Sequence, residues 1–333
     1  YRSNMNLKKM LFNKLPLRAS AASITLAMTL ASCGSPSGTF TGTEEVAKPV
    51  YVVKIDDTRE AHPQIGINQA DLVFIEQVEG GLTRLSAVFS KTLPSEIGPV
   101  RSARISDIEL LAQFGKVAFL YSGAQTKFRP VLKSANLIDL SAEHESPKLY
   151  SRKIGRTAPV DMVINTDELI RITKERNLDI AKSKNLGWSF GKLDKEQQTN
   201  PIKSATIKWP ASRYEVSWNG KGWAISQNGE AEFDADGKVV APSTFVIQKV
   251  SITDSEYRDK VGGVTPFSAT VGTGNGWILR NGFAVAGTWS RTDESSGTTW
   301  VDQDGKEIKF ATGQIWIALT DQTPAFVERA LKK

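Results

Sequence analysis

One cysteine, Cys33, stands in the 333 residues, so no disulfide within the chain can brace its fold. Its position says more. Lys8, Lys9, Lys14 and Arg18 precede it, followed by an uncharged run of small and apolar residues from Ala19 to Ser32. That is the charged, apolar, small-residue order of a secretory signal peptide, and the run is shorter than the ~20 residues a spanning helix needs. Met5 is the expected start, with Tyr1 to Asn4 as upstream read-through. Five of the 42 basic residues and none of the 36 acidic ones lie in residues 1–33, leaving 37 basic against 36 acidic side chains beyond them. The high isoelectric point therefore belongs mostly to the leader. A nucleic-acid binder needs a concentrated basic face to release phosphate counterions, and no Lys/Arg-rich run follows residue 33. Nucleic acid is not an expected partner.

The ending Leu30-Ala31-Ser32-Cys33 resembles bacterial lipoprotein signals, in which the cysteine is lipidated on sulfur and becomes the new N-terminus. A plain cleavable peptide and an uncut anchor are the alternatives. The resemblance implies attachment to the membrane through Cys33 and an extracytoplasmic body. Residues 34–48, rich in Gly, Ser, Thr and Glu, read as a flexible tether.

Beyond the tether the length suits two domains. All eight tryptophans lie between Trp188 and Trp316, and both histidines, His62 and His144, lie before them. In residues 49–190, strand-length apolar runs (51–55, 72–78, 85–89, 117–121, 162–164) alternate with helical composition at 107–114, 126–134 and 167–176. That order predicts an α/β sheet covered by helices. In residues 191–333, Asn219-Gly220, Asn228-Gly229, Asp236-Gly237, Asn281-Gly282 and Asp304-Gly305 are hairpin-turn dipeptides between strand-like runs, which predicts a mostly antiparallel β domain. The polar stretch 181–203 is the expected connection between two separate units.

Two segments stand out chemically. Glu76-Gln77-Val78-Glu79-Gly80-Gly81-Leu82-Thr83-Arg84 ends an apolar run with two carboxylates, a glycine pair, and Thr and Arg; Gly98-Pro99-Val100-Arg101-Ser102-Ala103-Arg104 places two arginines where a loop enters a predicted helix. Together with Lys54-Ile55-Asp56-Asp57, Ala70-Asp71, Phe245-Val246-Ile247-Gln248, Gly272-Thr273-Gly274, Gly287-Thr288-Trp289, Asp304-Gly305 and Gly313-Gln314-Ile315-Trp316, these segments resemble the YerB-type lipoproteins. The likeness spans nearly all of residues 49–320. It implies a two-domain extracytoplasmic lipoprotein and brings no established activity. One segment departs from the family pattern: Arg156-Thr157-Ala158-Pro159-Val160-Asp161 has Val160 where the family carries histidine.

Asp56 and Glu76 fall near strand ends, where open α/β sheets place ligand crevices. Arg101 and Arg104 are positioned to hold an anion through guanidinium forks and free N–H groups at a helix start. Carboxylates at the ends of apolar strands are costly to bury without cations. Asp56, Glu76, Glu79, Arg84, Arg101 and Arg104 are therefore expected to converge on one polar site, either a ligand site or a structural ion-pair network. Glu76 and Glu79 have the residue types for acid–base work on a glycosidic bond, but any loop with two acids shows the same spacing.

Other chemistries lack their residues. The sole cysteine is taken by the lipobox, His62 and His144 have no metal-ligand spacing, no Gly-x-Ser-x-Gly elbow occurs, and Val271 to Gly276 lacks the Lys-Ser/Thr of a phosphate loop. Neither cofactor nor metal is expected, and the tryptophans are expected in the core. The leading expectation is a cell-envelope lipoprotein that binds a ligand, an envelope polymer or a protein partner. The alternative is a hydrolase or transferase acting on an envelope polymer or anionic substrate through the Asp/Glu/Arg cluster.

Overall fold

The computed structural model describes residues 39–43 and 45–330; the leader, Cys33 and residues 34–38 of the expected tether lie outside them. The first half supplies β1 (Tyr51–Asp56), β2 (Leu72–Gln77), β3 (Thr83–Phe89), β4 (Glu96–Ile97), β5 (Val117–Leu120), β6 (Leu137–Asp139), β7 (Tyr150–Arg152) and β8 (Met162–Asn165). Its helices are α1 (Ser106–Ala112), α2 (Arg129–Ser134) and α3 (Thr166–Glu175). The second half supplies β9 (Ile202–Lys208), β10 (Arg213–Trp218), β11 (Trp223–Gln227), β12 (Glu230–Ala231), β13 (Thr244–Lys249) and β14 (Ile252–Arg258). It continues with β15 (Val264–Ser268), β16 (Gly272–Arg280), β17 (Phe283–Arg291), β18 (Thr299–Val301), β19 (Ile315–Thr320) and β20 (Ala325–Glu328).

Ten strands form one sheet, in the order β18-β17-β16-β13-β19-β2-β3-β1-β5-β6. The halves lie side by side in it rather than interleaved. Their seam is the parallel pair β19·β2, running from Ile315 opposite Leu72 to Ala318 opposite Ile75. Successive side chains of a strand point to opposite faces, and each face buries a core drawn from both halves. Val52, Phe74 and Val88 share one core with Leu110 of α1, with Phe114 just after that helix, and with Val246, Ile317 and Trp300. Val53, Ile75 and Leu85 share the other with Leu169 of α3, Trp223 and Ile225 of β11, and Phe245 and Trp316. The halves thus meet along a sheet edge and through both cores, where separate units were expected.

Helix is scarcer than the composition of the first half suggests. The stretch expected as a helix over 126–134 is a 3-10 turn, Thr126–Phe128, leading into the short α2, and α1 is closed after one further turn by Gly115 at φ +82°. Cover on the second face comes instead from strands: the three-stranded sheet β4-β8-β7 and the five-stranded sheet β12-β11-β10-β9-β20. Of the five turn dipeptides, Asn228-Gly229 and Asn281-Gly282 carry positive φ at both residues, as a type I′ turn requires. Within the expected tether, Phe40 is buried with its ring 5.3 Å from that of Phe114, so the packed body already includes it. Trp188, Trp209, Trp223, Trp289, Trp300 and Trp316 are core residues. The Val271–Gly276 stretch lies mostly on β16, where a Cβ on Gly276 would fall 2.7 Å from the Trp300 ring; that glycine serves aromatic packing.

Candidate functional site

Even-numbered residues of β1, β2 and β3 project from one face of the sheet, which puts Lys54, Asp56, Glu76, Arg84 and Ser86 on that face together. Register completes the grouping: Arg84 lies opposite Asp56 on one side and Glu76 on the other. The loop before α1 is pinned to the same place by backbone bonds, Asp56 N to Pro99 O and Arg101 N to Lys54 O, while Ser122 N reaches Arg101 O. Arg101 and Arg104 are thereby held over the ends of β1 and β3.

The six expected residues divide into three layers. At the bottom, Glu76 is fully buried and pairs not with an arginine but with Lys54, whose Nζ is 2.6 Å from Glu76 Oε1 and 2.7 Å from Asp107 Oδ1. Ser86 Oγ lies 2.6 Å from Glu76 Oε1 and 2.9 Å from Asp107 Oδ1, with one hydroxyl proton shared between the two carboxylates. Burial and the neighbouring Asp107 push Glu76 up, against the pull of Lys54. In the middle, Arg101 Nε lies 2.5 Å from Asp56 Oδ2, and Arg104 grips Glu79 through Nε at 2.7 Å and an Nη at 2.9 Å. Burial would raise Glu79, but this guanidinium fork, with a hydroxyl bond from Thr265, holds it below the usual carboxylate range. Gly80 and Gly81 at φ +69° and +73° make the turn that presents Glu79, and a Cβ on Gly81 would sit 2.5 Å from Pro210.

Arg84 is the exception. Its only side-chain hydrogen bond among the described residues runs from one Nη to Ser102 O at 3.1 Å, and no carboxylate of the described residues lies within 4 Å of its guanidinium. Burial and the charges of Arg104 and Arg101 pull it well below the usual guanidinium range; it still remains protonated at neutral pH. All three arginines line a cleft of about 590 Å³. Arg129 at the start of α2, and Arg258 and Lys260 at the tip of the β14–β15 hairpin, line it too. The cleft's carboxylates are Glu79, Glu143 and Asp259; Glu79 is held by Arg104 and Glu143 by Arg129 at 2.5 Å. Cations outnumber anions two to one.

The helix-start contribution expected for an anion is not open. Asp107 Oδ2 accepts the Arg104 backbone N–H at 2.6 Å, so the protein caps this turn itself. Sequence reading missed Lys54, Ser86 and Asp107, although Lys54 and Ser86 share strand parity with Asp56 and Arg84. Arg129 and Arg258 carry no local signal, since remote elements bring them in.

The opposite face holds a second polar cluster. Asp57 accepts from Tyr214 Oη at 2.8 Å and from Thr83 Oγ1, with His62 Nε2 3.5 Å away. His62 Nδ1 meets Glu232. Burial pushes the imidazole down, but hydrogen bonds and charge from Asp57 and Glu232 outweigh it and raise it to about 10. Gln227 Nε2 donates to Asp57 O at 2.9 Å. The bonds from Tyr214 and Gln227 to Asp57 and from His62 to Glu232 join the first half to β10–β12 or its flanks, while Thr83 and His62 meet Asp57 within the first half, which makes the cluster a structural clasp. His144 is largely exposed beside Asp139 at 3.0 Å. Val160 is buried, and neighbouring Arg156 donates to Ala61 O and Pro63 O, so that segment braces a loop. Among the described residues no group of three or more His, Cys, Asp or Glu is arranged to hold a metal ion.

Residues 37–179 match the domain described as "Protein of unknown function (DUF3048) N-terminal domain", and residues 204–317 match its C-terminal domain. A relative from Bacillus subtilis (strain 168), named "Putative lipoprotein YerB", is 23% identical over 286 residues, covering 84% of this chain and 82% of the relative. The crystal structure of the YerB protein from Bacillus subtilis superposes with a TM-score of 0.73 at 20% identity, covering 87% of this chain and all of that one. With both domain matches in order along the chain and the fold shared over most of its length, the protein belongs to the YerB-like DUF3048 family.

Proposed function

We propose that this protein is an extracytoplasmic lipoprotein, anchored through Cys33, that binds an anionic ligand in the arginine cleft. The carrying observation is Arg84, a guanidinium set beside Arg101 and Arg104 with no carboxylate of its own. Like charges brought together at a half-buried site cost stability, and an anion with several acceptor oxygens relieves that cost by charge-assisted bonding. Neither carboxylate named for acid–base work is free: Glu76 is sealed beneath Lys54, and Glu79 is held by Arg104 and Thr265.

The test is calorimetric titration of the full chain with orthophosphate and with citrate at low and high salt. Binding is expected to weaken as salt rises and to vanish in Arg84→Gln while thermal stability is kept. Failure of both anions to bind the parent chain overturns the reading. For the anchor, Cys33→Ser should leave the membrane fraction; a variant that stays there, with no lipid on the parent, rules the anchor out.

A further inference from the structure

The packed body begins much closer to Cys33 than a tether over residues 34–48 would place it. Phe40 packs on the Phe114 ring, two residues before Lys116, and Gly313 N donates to Thr41 O. Five residues, 34–38, separate Cys33 from the first described residue, Thr39. Six Cα steps span at most about 22 Å even when fully extended. A lipid on Cys33 thus keeps the Phe40 end of the body within that distance of the bilayer surface.

Three segments meet at this end. Residues 48–50 run antiparallel to 181–183, with Val50 N donating to Ala181 O and Ser183 N to Lys48 O. Ala181 N donates in turn to Lys116 O. Lys48, Lys116, Lys182 and Lys184 are all exposed, and no carboxylate of the described residues lies within 4 Å of their amines. Lys91, whose carbonyl accepts from Lys48 Nζ, is matched by Glu45 at 2.8 Å. Across residues 44–48, 91, 116 and 179–184, five lysines stand against three acids, Glu44, Glu45 and Asp179. The cleft lies at the other end of the same strands. β1 starts at Tyr51 beside the lysines and ends at Asp56 under Arg101, while β3 runs back from Arg84 to Phe89, opposite Tyr51. From Tyr51 to Asp56 the strand rises about 17 Å, twice the Debye length of about 8 Å at physiological salt.

We infer that Lys48, Lys116, Lys182 and Lys184 form a face that rests on the anionic lipid headgroups of the membrane holding Cys33, so that the arginine cleft opens away from that surface. This rests on the Cys33 anchor proposed above and adds an orientation to it. Lysine ammonium groups are hydrated point charges on flexible stems, a match for a diffuse layer of headgroups, and basic residues beside a lipid anchor strengthen its hold on anionic bilayers. Val46, 81% exposed on the same segment, adds apolar surface next to them. The orientation also serves the cleft: an anionic bilayer repels the kind of ligand that Arg84 attracts, and the length of the strands keeps the cleft outside that field.

The experiment places the lipidated chain in vesicles of phosphatidylcholine, alone or with an equal part of phosphatidylglycerol. Lysines are labelled with a membrane-impermeant amine reagent and read by mass spectrometry. On the anionic vesicles Lys48, Lys116, Lys182 and Lys184 should label about fivefold less than on neutral ones, a difference that closes at high salt. Lys260 in the cleft and Lys133 beside it should label equally on both. Lys116→Gln/Lys182→Gln/Lys184→Gln should return Lys48 to its labelling on neutral vesicles. Lys48 that stays protected in this variant is shielded by the short tether alone, which defeats the inference. Equal labelling of the parent on both vesicles overturns the lysine face and leaves the anchor standing. A chain that does not float with neutral vesicles has no anchor, which overturns both readings.

Discussion

The two polar clusters flank the same three strands yet end in different states. On one face, Lys54, Glu76, Asp107 and Ser86 are sealed, but the layer above them opens to solvent and leaves Arg84 without a carboxylate. On the other face, Asp57 gathers Tyr214, Thr83 and His62, and Glu232 completes the imidazole's partners. A cluster whose charges are all answered by the protein fastens layers together. One that holds a surplus charge at the wall of a cleft has capacity left for a ligand. The distinction lies in the partners of single atoms, not in residue composition, since both clusters mix acids and bases.

The largest effect expected from breaking this contrast is at Lys54. Lys54→Met leaves Glu76 and Asp107 buried without their cation, which should cost about 3–5 kcal/mol in denaturant unfolding. Part of the loss should return at acid pH, because two unpaired buried carboxylates regain neutrality on protonation; an equal loss at every pH would contradict the ion-triad description. Next is Tyr214→Phe, which removes a hydroxyl donor from buried Asp57 and should cost about 2 kcal/mol. It should leave anion binding in the cleft untouched, and reduced binding would show that the two faces are coupled.

A third effect concerns pH. His62 is raised to about 10 by Asp57 and Glu232 against the opposing effect of burial, above its unfolded value near 6.5. The folded state then holds a proton that the unfolded state has lost, so this contribution is complete below about pH 6.5 and disappears as pH rises toward 10. Unfolding free energy measured across that window should fall more steeply in the parent than in His62→Gln; parallel curves would remove the charged clasp. The smallest stability effect belongs to Arg84→Gln. It loses one bond to Ser102 O and relieves repulsion from Arg101 and Arg104, so the net change should stay within about 1 kcal/mol. A larger loss would move Arg84 to the structural side of the comparison.

The residues themselves determined much of this molecule. Alternating apolar runs placed β1, β2, β3, β5 and β8 within a residue or two of their observed spans, because a strand buried in a two-sided core needs β-branched and aromatic side chains whatever surrounds it. The short length of α2 and the cover of one face by strands escaped composition, since helix length is set by packing as much as by propensity. Expected convergence of the acids and arginines rested on the cost of buried charge, and that cost applies before any fold is known. The choice of partner did not follow from it. Glu76 meets Lys54 because both stand on the same face of neighbouring strands, with Asp107 delivered from α1. Arg84 is left over because register sets it between Asp56 and Glu76 after each has found another cation. Local sequence decides which side chains demand a partner; three-dimensional register alone decides which of them goes without one.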